Sequence, residues 1–286
     1  IHGGEYAVAS TFELGADDSG ETNRPVVYRA VEGKEVRLVG GRTLPANAFQ
    51  PFSAPEIIQR LDATARSQIR RVDLRSLAIT NYGVFPDQFS GAALVPELFF
   101  NDQRMMLARW PNDGWAEIDK VIESGPAPWR KHASDKLGAF AYDGDRPARW
   151  LQAPAVWLQG YWCFDWSSET IRIQTIDTNE HRITLAKQHH YGLGSGNSGK
   201  RRFFAVNLLE ELDQPGEYFI DRDSGELFFW PPSSLRSARV VLSTLTQPVI
   251  ALRNASHVVL RSLTVEACAG NGIAVRGGQN DSVLAC

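Results

Sequence analysis

The stretch "VIALRNASHVVLRSLTVEACAGNGIAVRGGQNDSVLAC", residues 249–286, repeats itself: Ile250 recurs as Ile273 and Leu252 as Val275, each 23 residues on, and Val258-Val259 recurs as Val283-Leu284, 25 residues on. Short apolar strands separated by Asn/Gly corners at a spacing in the low twenties are what stacked solenoid coils need, because each coil buries its apolar side chains on the same positions of its neighbour. The other end of the chain offers a second pair. In "GGEYAVASTFEL" and "PVVYRAVEGKEVRLVGG", Tyr6 and Val8 fall about one coil before Val26 and Tyr28. Two coils at each end bury too little to stand alone, so the long stretch between them must form part of the same folded unit or a unit of its own.

That stretch, 43–240, has no such period and holds all eight tryptophans of the chain, from Trp110 to Trp230. Its strands are legible as hairpins. "EYFIDRDSGELFFW" sets one apolar run against another across Asp-Ser-Gly, and "IRIQTIDTNEHRITL" does the same across Asp-Thr-Asn-Glu. Helical periodicity occurs once, in "APEIIQRLDATARSQI" (54–69), where Ile57, Ile58, Leu61 and Ala65 share a face. The expected organisation is N-terminal coils over 1–42, an antiparallel β domain with one short helix over 43–240, and resumed coils over 241–286 that stop as though a strand were cut. An open coil end exposes unpaired strand edges, which calls either for another copy of the chain or for further coils to cover it.

Charge excludes some partners. With 30 Lys+Arg against 33 Asp+Glu, the chain has no field to attract nucleic acid or an anionic membrane. Cys163, Cys268 and Cys286 form no CxxC, so neither a zinc site nor a disulfide framework is expected, and no cofactor is. "DRDSGE" (221–226) reads as a hairpin turn in preference to a calcium loop, and "GLGSGNSGK" (192–200) lacks the spacing of a phosphate loop. In "NLLEELDQPGE" (207–217), Glu210, Glu211 and Asp213 read as an exposed acidic rim before a Pro-Gly turn. "GKRRFF" (199–204) reads as a solvated loop rim.

The runs "GGEYAVASTFELGADDSGETNRPVVYRAVEGKEVRLVGG", "ELFFNDQRMMLARWPNDG", "WLQGYWCFDW", "NLLEELDQPGEYFIDRDSGELFFWPP" and "ASHVVLRSLTVEACAGNGIAV" resemble those of the right-handed parallel β-helix proteins of polysaccharide-degrading bacteria. The nearest likeness is to the β-helix glycoside hydrolases that include xylosidases and fucosidases. The resemblance implies an all-β fold: a right-handed parallel β-helix interrupted by an inserted antiparallel β-sandwich-like domain. It also implies an extracellular or periplasmic protein acting on a plant or algal polysaccharide or oligosaccharide by two-carboxylate hydrolysis. In that family the acid pair lies on coils well after the insert, so the pair is expected beyond Cys286.

Six residues stand out as site candidates. Asp165, among the aromatics of "GYWCFDW", has the setting that raises a carboxyl pKa for general-acid work, or it pairs with an arginine. Glu266 ends a strand before a Gly/Asn corner, where it is either a working group or a solvent-facing strand residue. Trp162 and Trp166 stack on sugar faces or fill the core. His190, beside a Gly/Ser-rich loop, faces opposite to His189 if the two lie on a strand, and is available to hydroxyls. Arg109, beside Trp110, meets an acidic sugar or stacks on a ring. Two other functions share these features. A polysaccharide lyase would show a groove rich in Arg and Lys, and a non-catalytic glycan-binding module would show an aromatic surface without paired acids.

Overall fold

The computed structural model describes residues 1–85, 95–194, 196 and 201–286. It is all-β: apart from a single α-helical turn, Pro55–Ile58, and short 3-10 segments, its regular structure among the described residues is strand. The chain divides into two compact units, one made of Ile1–Ala46, Ala93–Arg104 and Ser237–Cys286, the other of Asn47–Ala92 and Met105–Arg236.

In the first unit the chain visits three parallel sheets in turn. Gly4–Ala7 pairs with Val36–Val39, which pairs with Thr264–Glu266. Phe12–Leu14 pairs with Ile250–Arg253, which pairs with Ile273–Arg276. Val26–Arg29 pairs with Val258–Arg261, which pairs with Ser282–Leu284. The residues that alternate inward, among them Leu14, Val36, Ile250, Leu252, Val258 and Leu260, form one buried cluster. At roughly 1.5–3 kcal/mol for each large aliphatic side chain, this burial is what holds such short strands in register. Gly41–Thr43, Val240–Ser243, Leu98–Phe100 and Gln103–Arg104 add a small antiparallel sheet to the same unit.

The register agrees with the sequence reading in one sheet and corrects it in two places. Ile250 lies opposite Ile273 and Leu252 opposite Val275, as the recurrence predicts. Leu260, however, and not Val258, lies opposite Val283. A slip of two residues keeps every side chain on its own face, so hydrophobic alternation cannot distinguish the two registers. The corner between the strands can: Gly278 has φ +74°, and a Cβ there would lie 1.6 Å from the Ala255 carbonyl oxygen. Backbone stacked this closely on Asn254-Ala255 holds both sheets to one 23-residue spacing. At the N-terminus, Tyr6 pairs with Leu38, while Val26 and Tyr28 pair with Val258 and Leu260. Each circuit has three strands, so successive apolar runs belong to different sheets.

The second unit is built on an antiparallel sheet. Its strands run in the order Arg109–Trp110, Arg202–Val206, Trp157–Tyr161, Ser168–Asp177, Arg182–Leu185, Ala139–Ala141 and Lys120–Glu123. A smaller sheet joins Arg70–Asp73, Glu226–Phe229, Glu217–Asp221 and Met106–Leu107. Both expected hairpins form. Tyr218 pairs with Phe229 across a turn in which Asp221 Oδ1 accepts the Asp223 N–H at 3.0 Å, and Ile176 pairs with Ile183. The helix expected over 54–69 stops at Ile58. Asp62 Oδ1 accepts both the N–H and the hydroxyl of Thr64, at 2.9 and 2.7 Å, and this local bonding competes with helix continuation. Leu61, Ala65 and Ile69 still reach the core against Phe219 and Phe228, through a series of turns.

Candidate functional site

Strand Trp157–Tyr161 leads into "WCFDW", and the chain then returns as strand Ser168–Asp177. The first tryptophan of that connection folds inward. Trp162 is 0% exposed, its ring stacks with Phe203 at 6.4 Å and 13°, and its Nε1 donates to the Glu169 carbonyl at 2.8 Å. Gly160 permits this, because a Cβ there would stand 2.7 Å from the Trp162 ring. With both faces enclosed, Trp162 has no surface for a sugar, which corrects that part of the sequence reading.

The rest of the connection turns outward and assembles an aromatic shelf. Trp166, 62% exposed, lies almost parallel to Phe164, with centroids 5.3 Å apart at 23°. Tyr191 meets both rings edge-on, at 5.1 and 5.4 Å. Trp129 packs 5.2 Å from Phe164, is 46% exposed, and donates its Nε1 hydrogen to the Tyr191 carbonyl at 2.9 Å. Exposed His190 stands edge-on to Tyr191 at 4.6 Å. The rings of Trp129, Phe164, Trp166, His190 and Tyr191 thus brace one another, so Trp166 presents a face already ordered before any ligand arrives. Such preorganisation lowers the entropy that binding must overcome.

Beneath the shelf His189 is buried, opposite in sense to His190, and its Nδ1 lies 3.1 Å from the Gly192 carbonyl. Burial lowers its pKa, which favours the neutral ring. Lys187 Nζ donates to Glu169 at 2.6 Å beside it. The Gly/Ser-rich loop that sequence reading placed next to the histidines lies mostly outside the described residues, as does the start of "GKRRFF".

The other named residues are occupied elsewhere. Asp165 is half-exposed and accepts from Arg202 Nη1 at 2.8 Å, the arginine pairing named as its alternative. Arg202 in turn lies 4.4 Å over the Tyr161 ring. Arg109 lies 3.9 Å over Phe204 and donates to the carbonyls of Pro111 and Gly114 at 2.8 and 2.5 Å, so it holds a turn and stacks on a ring. Glu266, in the first unit, belongs to a charged network. Arg37 makes paired hydrogen bonds to both Glu266 and Asp102, and Arg239 reaches Glu266, Asp102 and Glu5. The Arg37 guanidinium holds the Asp102 carboxyl below its usual range and stands between the two carboxylates. Glu266 is thus taken up in a closed set of ion pairs with Arg37 and Arg239.

A further correction concerns "NLLEELDQPGE". Glu210 and Glu211 are buried, not a rim. Leu208, Leu209 and Leu212 around them are packed in the interior, and the intervening acids are drawn in with them. Arg60 meets Glu210 at 2.6 Å, Arg146 pairs with Glu211 and with Asp213, and Trp150 Nε1 donates to Glu211 at 2.6 Å. Nearby Glu217 is 0% exposed, and burial pushes its carboxyl up to about 8. These acids are enclosed, so their work is structural. The leucine spacing hinted at burial, but the arginines that make it tolerable lie 65 and 150 residues away in sequence.

No protein-family model matches the sequence, and no curated protein matches it. Two solved structures do resemble it in shape. One is described as "The complex structure of XylC with xylose", with a TM-score of 0.38 at 9% identity over 94% of this chain and 30% of that one. The other is described as "Glycoside hydrolase", with a TM-score of 0.63 at 16% identity over 92% of this chain. The chain spans 41% of that glycoside hydrolase, whose fold it shares over that length.

Proposed function

We propose that this chain is a carbohydrate-active module of glycoside-hydrolase type, in which a parallel β-helix carries an inserted antiparallel β domain and the aromatic shelf of that domain binds saccharide. The observation that carries the reading is Trp166, held open to solvent and nearly parallel to Phe164, on which Trp129 also packs. The axial C–H face of a pyranose is apolar and flat, its edge hydroxylated, and an ordered exposed indole matches the first while leaving the second to polar neighbours. Three parallel three-stranded sheets visited in turn support the β-helix part of the reading, and the likeness to a glycoside hydrolase fold supports its class. Asp165 and Glu266 are each held by arginine, so hydrolysis by a carboxylate pair is assigned to neither. An extracellular or periplasmic site of action goes with a polysaccharide substrate.

Affinity electrophoresis of the protein through gels containing neutral plant or algal polysaccharides tests the binding. Retardation is expected for at least one polysaccharide, with a loss of about tenfold in affinity for Trp166→Ala, equivalent to about 1.4 kcal/mol. Wild-type migration unaffected by any of them, or equal retardation of the variant, overturns the proposal.

A further inference from the structure

The shelf borders an open cleft of about 720 Å³, whose polar lining is Glu117, Asp119, Ser124, Arg130, Asp143 and Arg201. Shelf and cleft share a wall. Arg130 follows Trp129 in the chain, and its guanidinium carbon lies 5.8 Å from the centroid of that ring. Leu193 and Gly194, which also line the cleft, follow Tyr191 and are tied down on both sides. The Leu193 N–H donates to the Ser124 carbonyl at 2.6 Å and the Gly194 N–H to the Trp162 carbonyl at 3.0 Å. Arg201 Nε donates to the Gly194 carbonyl as well. The wall that separates Tyr191 from the cleft is therefore as fixed as the shelf itself.

Across the cleft, the Asp119 N–H donates to the Ala141 carbonyl at 3.1 Å, which brings Asp119 beside the strand end that leads to Asp143. Both carboxylates are exposed. Ionised carboxylates only accept hydrogen bonds and guanidinium groups only donate them, so a lining that offers both suits a ligand bearing many groups that do either, which is what hydroxyls are. The balance of charge matters too. Three carboxylates against two guanidinium groups disfavour a chain of uronates, whose own carboxylates would meet like charge. The volume falls within the roughly 300–1,000 Å³ of sites that enclose small ligands, and it lies beyond the surface that one ring on Trp166 would cover.

We infer that the ligand is a neutral oligosaccharide of several residues, with one ring stacked on the Trp166–Trp129 shelf and the following residues in the cleft, where Asp119 and Asp143 accept hydrogen bonds from their hydroxyls. This rests on the reading of the shelf as a sugar-binding surface and adds a second subsite, a direction and a chain-length preference to it.

Xylo-, cello-, manno- and galacturono-oligosaccharides of one to five residues, titrated into the whole 286-residue protein and followed by calorimetry and tryptophan fluorescence, separate the two ideas. For at least one neutral series, affinity is expected to rise at least about tenfold from one residue to four, since each added residue gains hydrogen bonds of about 1 kcal/mol. Asp119→Asn with Asp143→Asn is expected to abolish that rise while leaving monosaccharide affinity within about twofold, and Trp166→Ala to weaken every length. Both aspartates are exposed, so an unchanged melting temperature in the double variant confirms an intact fold. Affinity independent of length, a rise undiminished in the double variant, or tighter binding of the galacturonate series overturns the inference and leaves the shelf standing. No binding of any saccharide overturns the reading on which it rests.

Discussion

Glu217→Gln is expected to make the protein more stable at neutral and alkaline pH, and the size of the effect should depend on pH in a defined way. Glu217 has no exposed surface. Its Oε2 accepts the N–H groups of Asp213 and Gln214 at 3.0 and 3.2 Å, while its Oε1 has no hydrogen-bond partner. Burial is the largest influence and opposes the carboxylate, the Asp213 charge adds to it, the backbone N–H groups of Asp213, Gln214 and Arg109 act in the other direction, and the carboxyl rises from 4.5 to about 8. Between those values the folded chain holds a proton that the unfolded chain has released. Stability therefore falls as pH rises, by about 1.4 kcal/mol per pH unit. The contribution is fully present below pH 4.5 and fully lost above about pH 8. Glutamine has the shape of the protonated acid, can accept the same two N–H groups through its carbonyl oxygen, and does not titrate.

The difference between variant and wild type is thus expected near zero at pH 4.5, rising to as much as about 4 kcal/mol in favour of glutamine at pH 7.5. Urea unfolding at several pH values measures it, and tryptophan fluorescence reports the right unit, because all eight tryptophans fall between 110 and 230, inside the second unit. Taking the difference cancels every other group that titrates equally in both proteins. A difference that does not change with pH, or a glutamine variant that is less stable at pH 7.5, refutes the argument, since either result means that Glu217 is ionised in the folded protein.

Arg146→Met strands Glu211 in the interior without its counter-charge and is expected to cost about 3–5 kcal/mol, with less lost when Glu211→Met accompanies it; thermal unfolding of the two variants compares them. Gly278→Ala puts a Cβ 1.6 Å from the Ala255 carbonyl and is expected to destabilise the first unit far more than Gly33→Ala, which also has positive φ but meets nothing within 4 Å and should cost about 1 kcal/mol. Trp162→Ala is expected to cost about 3–5 kcal/mol in unfolding experiments, whereas Trp166→Ala should change stability by about 0.5 kcal/mol or less while weakening saccharide binding.

Trp162 and Trp166 show where sequence reading reaches its limit. They stand four residues apart among aromatics, and on a continuous strand they would share a face. Strand structure ends at Tyr161, however, and resumes at Ser168, and in the turn between them one ring goes to the core and the other to solvent. The shelf also needs Trp129 and Tyr191, which no local pattern links to "CFDW"; they arrive through pairings far apart in sequence. The same holds for the acids at 210 and 211, whose polarity reads as surface although Arg60 and Arg146 pair with them in the interior. What did survive was local or periodic: two hairpins set by their turns, and a 23-residue recurrence whose residues lie opposite one another in Ile250–Arg253 and Ile273–Arg276. Even there, periodicity fixed which residues face inward but not the register, because a slip of two leaves the pattern unchanged. Gly278 against Ala255 removes that freedom, since backbone can approach backbone so closely at one offset only. The regular part of this chain is therefore specified by its corners as much as by its strands, and the candidate site by contacts between segments that carry no shared pattern at all.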